Sequence, residues 1–231
     1  MSEPGRHQAL LIVLSIIAGC TDVIGFLGLG GLFTAHVTGN LVLLAAHLAV
    51  GAKAQMSEML SVPVFIVIVS LTTLLAERLN AAGRASLRPL LLLQFLLLAG
   101  FLAGCVAIAP PIDPDAMAAV VAGMLGVSAM AVQNALVQTA LKGAPATAAM
   151  TSNVTRFAID VGKLLHGGDP AALASSRSRA AHTLPVIVGF AVGCGLGAAC
   201  EAAFGMWSLA LPAGLALFAF AIGFAEQGEM Q

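Results

Sequence analysis

Charge is what this sequence lacks. Only 9% of its 231 residues are Asp, Glu, Lys or Arg, while 59% are hydrophobic. A soluble domain carries about 25% charged residues, so this chain cannot cover a water-facing surface. Lys and Arg number 10 against 11 Asp and Glu, a formal net charge of −1. That excludes the basic footprint on which nucleic-acid binding depends. Tyrosine is absent. No HExxH, no GxSxG and no Cys/His cluster at metal-ligand spacing occurs, so the reading includes no catalytic residue, no metal and no cofactor. Cys20, Cys105, Cys194 and Cys200 form no CxxC pair and lie in apolar stretches. They read as small hydrophobes packed between helices rather than as disulfides.

What is there is hydropathy. A mean hydropathy of +0.99 points to an all-α polytopic membrane protein, one transmembrane domain over residues 1–231. "GRHQALLIVLSIIAGC" has the outline of a leader ending at Cys20, but the apolar pattern runs on past it. It is read as a first crossing. Apolar segments lie at 9–29, 37–51, 59–79, 89–109, 117–141, 147–165, 183–203 and 207–225. A spanning helix needs roughly 17–25 residues. The second segment is short and holds Thr38, Asn40 and His47, the last read as interfacial. The sixth holds Arg156, Asp160 and Lys163.

Positive charge arbitrates, because Lys and Arg near helix ends favour the cytoplasm. If all eight segments cross, Lys and Arg divide almost evenly between the two sides. If segments two and six enter and return on the same side, Arg6, Arg78, Arg84, Arg88, Lys142, Lys163, Arg177 and Arg179 fall inside, and Lys53 alone falls outside. The count favours six crossings, two short re-entrant half-helices, a cytoplasmic N-terminus and an acidic outer loop "PPIDPDA" (110–116). The polar stretches 80–88 and 166–182 are then cytoplasmic loops. The halves, 8–109 and 117–226, repeat: "TAHVTGN" (34–40) aligns with "TAAMTSN" (147–153), and "SVPV" (61–64) with "TLPV" (183–186). Three crossings per half invert the second half relative to the first, a transporter and channel architecture. Eight crossings with parallel halves is the alternative.

"GCTDVIGFLGLGGLFTAHVTGN", "AVQNALVQTALKG" and "MTSNVTRFAID" resemble the bacterial YoaK-like family of membrane proteins, a domain-of-unknown-function family. The resemblance covers nearly the whole chain. It rests most specifically on Gly19, Asp22, Thr38-Gly39-Asn40, Gln133-Asn134, Thr151 and Asn153. Ser152 departs from it, standing where a second TGN motif would have glycine. The resemblance implies an inner-membrane protein of about six spans and implies no activity.

The candidate site is therefore read from polar residues inside apolar runs. Asp22, past the middle of the first crossing, should face protein or a cavity, because a carboxylate at a helix centre costs about 2.5–3.5 kcal/mol. It is assigned a coupling or gating role, with bridging between helices as the structural alternative. Asn134, beside Gln133, is its non-ionisable repeat partner. Thr38/Asn40 and Thr151/Asn153 stand where the two half-helices start. There they cap free N–H groups and would meet at a midplane site receptive to anionic or polar groups. His36 is a weaker member, since a lone histidine is more often packing than ligand. Arg156 and Asp160, at i and i+4, can form a gating ion pair. Glu77 and Glu201 read as solvated crossing ends. Gly189, Gly193 and Gly197 read as a helix-packing seam, as do Gly100 and Gly104. "GLGGLF" follows no strand and lacks the dinucleotide pattern.

The function read from this is a membrane transporter or channel for a small polar or anionic solute. Its partners are the lipid bilayer and that solute, with a homo-oligomer left open. A structural or partner-binding membrane protein is the first alternative, and an intramembrane enzyme using Asp22 with His36 the second. Topology is directly testable. Single cysteines replacing Arg84 and Gly168 should both react with impermeant reagents from the cytoplasmic side. Labelling from opposite sides would refute inverted halves.

Overall fold

The computed structural model describes residues 3–108 and 112–227, and the side chains of 5–108 and 112–223. Pro110 and Pro111 of the acidic loop lie outside the described residues, as do the last three residues of the chain's second half beyond their backbone. Every regular element described is helical: α1 (Glu3–Gly28), α2 (Val37–Ala49), α3 (Met56–Ala81), α4 (Leu87–Val106), α5 (Met117–Ala140), α6 (Met150–His166), α7 (Pro170–Phe204), a 3₁₀ turn (Gly205–Leu209) and α8 (Ala210–Gln227). An apolar chain with no water to solvate its backbone favours this solution, because a helix closes its hydrogen bonds within one segment.

Five stretches are long and apolar enough to cross a membrane: Gly5–Gly28, α3, α4, α5 and Pro170–Gly223. The last is 54 residues long and is broken at Gly205. There φ is +55°, a left-handed conformation that glycine adopts without a side-chain clash. Gly28 lies against Met206, while Arg88 Nε donates to the Gly223 carbonyl at 2.9 Å. So α7 ends beside the end of α1, and α8 runs back to the start of α4. The two short helices are not among the stretches of spanning length and hydropathy in the described residues. The 13 residues of α2 rise only about 20 Å against a hydrocarbon core of about 30 Å. The 17 residues of α6 carry too many charges.

The stretch 166–182, expected as a loop, is helical from Pro170 onward. Asp169 caps it, accepting a hydrogen bond from the Ala172 N–H at 3.1 Å, and Pro170 sits in the first turn where its missing N–H costs nothing. Falling hydropathy marks where a helix leaves the bilayer, not where it ends.

α1 and α5 are innermost: 67% and 78% of their apolar windows are buried, against 17% for α3. α1 packs on α7 and α8, and α5 on α3 and α4. α4 meets α8, α2 lies on α3, and α6 lies on α7. Ile66, Leu71, Val188, Val192 and Leu217 face outward and exposed, as lipid-facing side chains must. The α1–α7 contact is backbone-close. A Cβ on Gly193 would overlap the Ile16 carbonyl oxygen and approach the Ile16 Cα to 2.9 Å; one on Gly197 would lie 2.9 Å from the Cys20 Cα. The four cysteines are free thiols, and Cys20 donates to the Gly193 carbonyl across the seam at 3.1 Å.

Gly193→Leu should therefore separate α1 from α7 at a cost of about 1–3 kcal/mol or more. Gly195→Leu, where the added Cβ meets open space, should leave the melting temperature in detergent unchanged. Equal tolerance of both would refute the seam.

Candidate functional site

Asp22 is buried near the end of α1 and is saturated with partners from the loop that follows. One carboxylate oxygen accepts from the Ala35 N–H at 2.8 Å and lies 3.4 Å from the His36 nitrogen. The Thr34 hydroxyl stands 3.5 Å away, at the outer limit of hydrogen bonding. The other oxygen meets His36 Nδ1 at 2.6 Å. The imidazole packs edge-on against Phe190 of α7, with ring centroids 5.4 Å apart. Asn40, fully buried, reaches back seven residues from the first turn of α2. Its amide accepts from the Phe33 N–H at 2.9 Å and donates to the Phe33 carbonyl at 2.8 Å. The irregular stretch 29–36 is thus hydrogen-bonded from both sides.

The second half repeats the device with neutral groups. Gln133 of α5 donates to the Leu14 carbonyl of α1 and to the Thr147 hydroxyl, each at 2.8 Å. Gln94 of α4 donates to Gln133 at 2.7 Å, while its own Oε1 is buried without a partner. Asn153 donates to the Ala146 carbonyl at 2.6 Å, again seven residues back.

These contacts redraw the expected site. Asn40 and Asn153 clasp their own loops rather than cap α2 and α6. Thr38 and Thr151 are exposed, and their hydroxyls make no hydrogen bond among the described residues; Thr34 and Thr147, four residues earlier in each motif, are the threonines engaged. Asn134 bonds to Met130 of its own helix at 2.9 Å, so Gln133 is the counterpart of Asp22. Among the described residues no hydrogen bond joins the two motifs. Asp22 and Leu14, which anchor the two loops on α1, are eight residues apart, about 12 Å along a helix. Each Thr-x-Asn motif serves its own loop because its nearest unpaired backbone groups are there.

Each short helix is tied to the next long one by a polar side-chain pair. His47 of α2 meets Glu58 of α3 at 3.1 Å, with the Glu58 side chain fully buried. Asp160 of α6 is forked by Arg179 of α7, with Nη2 at 2.6 Å and Nε at 3.2 Å from both oxygens. Arg156 is not the partner of Asp160, because Arg179 fills both carboxylate oxygens from the helix on which α6 is docked. The Arg179 guanidinium holds the Asp160 carboxyl below the usual carboxylate range. The pair is therefore intact at neutral pH and lost as pH falls through that lowered value. Glu58, Gln94 and Arg179 were not singled out by sequence reasoning. Glu58 follows a polar loop and reads as solvated, and Arg179 counts only as a topological charge. Gln94, a lone amide in a leucine run, did carry the same signal that marked Asp22.

Beside the Asp160–Arg179 pair lies a cavity of about 760 Å³ between the α5–α6 loop, α6 and α7. Lys142, Arg156, Lys163 and Arg179 line it with His7 and His182, and Asp160 is its one carboxylate. Asn153 stands in its wall, and Gly143–Pro145 of the loop held by Gln133 and Asn153 close one side. Asp22, His36 and Asn40 are not part of it. At the other end of the molecule Lys53 pairs with Asp115 at 2.5 Å, which pushes the lysine up from its ordinary range.

Residues 10–222 match the family described as Protein of unknown function (DUF1275), and the chain belongs to that family. A stretch of 57 residues is 46% identical to the UPF0700 transmembrane protein YoaK of Bacillus subtilis (strain 168). The match covers 25% of this chain and 24% of that protein, so the chain spans about a quarter of the length of the curated relative it matches. The resemblance carried by the sequence motifs holds. No solved structure matches the chain.

Two losses follow from the separate loops. Asp22→Leu strands the Ala35 N–H and should cost about 1–3 kcal/mol, whereas Asp22→Asn keeps an acceptor and should cost less. Asn40→Ala and Asn153→Ala, acting on different loops, should add to within about 0.5 kcal/mol in the double variant. Thermal unfolding in detergent reads all four; strong non-additivity would mean that the loops share one site after all.

Proposed function

We propose that this membrane protein moves a small anionic solute across the cytoplasmic membrane, through six crossings arranged as two inverted repeats. The observation that carries the reading is the one-sided cationic cavity. Its lining includes His7 and Leu11 near the start of α1, and the packed Gln94–Gln133–Thr147 cluster is no part of it. A transporter caught open to one side has such a shape, whereas a conducting channel needs a continuous path. The clustering of Lys and Arg at that end supports a cytoplasmic N-terminus.

The packing pattern supports the repeat. Exchanging α1 with α5, α2 with α6, α3 with α7 and α4 with α8 carries the observed contacts onto one another. His47 and Asp160 are separated by the same 113 residues as Asn40 and Asn153, so the two ion pairs occupy equivalent places at opposite ends. On this reading Asp160–Arg179 and His47–Glu58 hold α6 and α7, and α2 and α3, together on alternate faces. Asp22 with His36 is the ionisable hub between them. The fully buried centre favours a second reading, a membrane protein whose polar clusters only lock its helices.

Proteoliposomes separate the two. Solid-supported membrane recordings with phosphate, sulfate, malonate and acetate gradients should give a protein-dependent response to at least one anion. Asp22→Asn, folded and correctly inserted, should reduce it at least tenfold. A well-folded parent protein that responds to none would leave the locking role alone.

A further inference from the structure

We propose that the α6–α7 cavity binds a phosphate-type oxyanion carried on a larger polar group, with Arg156 as its fork and Lys142 and Lys163 as its flanking charges. The charge pattern points there. Four of the chain's ten Lys and Arg side chains line this one space, and its single carboxylate is already taken. Arg179 is also occupied: Nε and Nη2 hold Asp160, Nη2 reaches the Ser176 hydroxyl at 2.9 Å, and Nη1 reaches Ser175 at 2.6 Å. Arg179 is thus a post that fixes α6 to α7. Arg156, one turn before Asp160 on α6, and Lys142, on the opposite loop, make no ion pair among the described residues. Lys163 feels Asp160 only at a distance.

Three uncompensated cations around one space repel one another, and the repulsion is relieved by a multiply charged anion. A guanidinium offers paired N–H donors that match two oxygens of a phosphate, and ammonium groups add charge without directional demands. Nδ1 of His182 donates to the Ser178 carbonyl at 2.7 Å, which leaves Nε2 as an acceptor for a hydroxyl on the ligand's organic group rather than a donor to its oxyanion. At about 760 Å³ the space is several times a bare phosphate and suits a phosphate attached to an organic group.

Two sources offer that chemistry. One is a soluble phosphate ester, the solute on the transport reading. The other is an anionic phospholipid headgroup, because α6 also presents exposed Val154, Ile159 and Leu165 to a bilayer surface. The inference rests on the transport reading only for the identity of the cargo. Binding itself does not.

The full chain, purified in a neutral detergent, is titrated with inorganic phosphate against chloride at constant ionic strength. It is also titrated with phosphatidylglycerol against phosphatidylcholine in mixed micelles. Thermal unfolding and isothermal calorimetry are the readouts. Phosphate or phosphatidylglycerol should stabilise the protein saturably. Arg156→Gln should weaken that binding at least tenfold, and Arg156→Gln with Lys163→Gln should abolish it. Arg84→Gln, a cation lost outside the cavity, should leave it unchanged. A response to phosphate assigns the soluble ester; a response only to phosphatidylglycerol assigns the headgroup. Equal responses to phosphate and chloride together with equal responses to both lipids, or stabilisation that persists in the double variant, overturn the site. Binding that stands while proteoliposomes show no anion-driven response would overturn transport and leave the site in place.

Discussion

Two stretches of non-helical backbone, 29–36 and 141–149, sit inside a protein built for a solvent that cannot hydrogen-bond. An N–H or C=O packed away from water and left unsatisfied costs several kcal/mol, so wherever these loops are buried a side chain has to supply the partner. Asp22 and Asn40 do so for the first and Asn153 for the second, while Gln133 holds the second loop through the Thr147 hydroxyl. The rest of the arrangement depends on this. The loops allow α2 and α6 to begin where they do, and those helices in turn dock on α3 and α7. The motifs that interrupt the apolar runs are therefore the condition for the fold before they are anything else. A transport role has to be built on groups that are already committed to holding the backbone.

The two halves solve that one problem with different chemistry, and the difference matters for function. The first uses a carboxylate backed by an imidazole; the second uses two amides. An amide pair holds its geometry at every pH, whereas the Asp22–His36 pair changes charge with its protonation. The ion pairs of the short helices differ in kind as well. Arg179 is positive at any accessible pH, while His47 is charged only when protonated. One end of the molecule is thus fastened by a guanidinium on a carboxylate and the other by an imidazole on a carboxylate.

Much of this was legible in the residues, for identifiable reasons. Apolar run length placed the long helices to within about a turn or two, apart from the polar start of α7, because hydrocarbon thickness and helix rise leave little freedom. The likeness of "TAHVTGN" to "TAAMTSN" marked the loops and their asparagines. Contact partners were another matter. A side chain's alternatives within reach, Asn40 to its own loop or to a distant ligand, differ by fold geometry rather than by sequence. The nearer one won because it is always present. Thr38 looked like the site because it adjoins Asn40, yet the periodicity of α2 turns it outward while Thr34 faces Asp22. Arg179 was invisible as a site residue because 166–182 was read as loop, where side chains have no common direction. Once the stretch is helical, Ser175, Ser176 and Arg179 fall on one face toward Asp160.

Lys and Arg side chains that bear on topology also line the α6–α7 cavity, and the two demands can be told apart. Topology asks only that cations lie on one side of the membrane. Arg78, Arg84 and Arg177 meet that demand without lining the cavity. It does not ask for Lys142, Arg156, Lys163 and Arg179 to converge from a loop and two helices on one space. That convergence is brought about by the docking of α6 on α7, which spends the site's only carboxylate on a structural pair and leaves the remaining cations without protein partners. A cavity meant merely to fill a packing gap would place its acids among those bases. Holding them apart keeps the charge available to something that arrives from outside the chain.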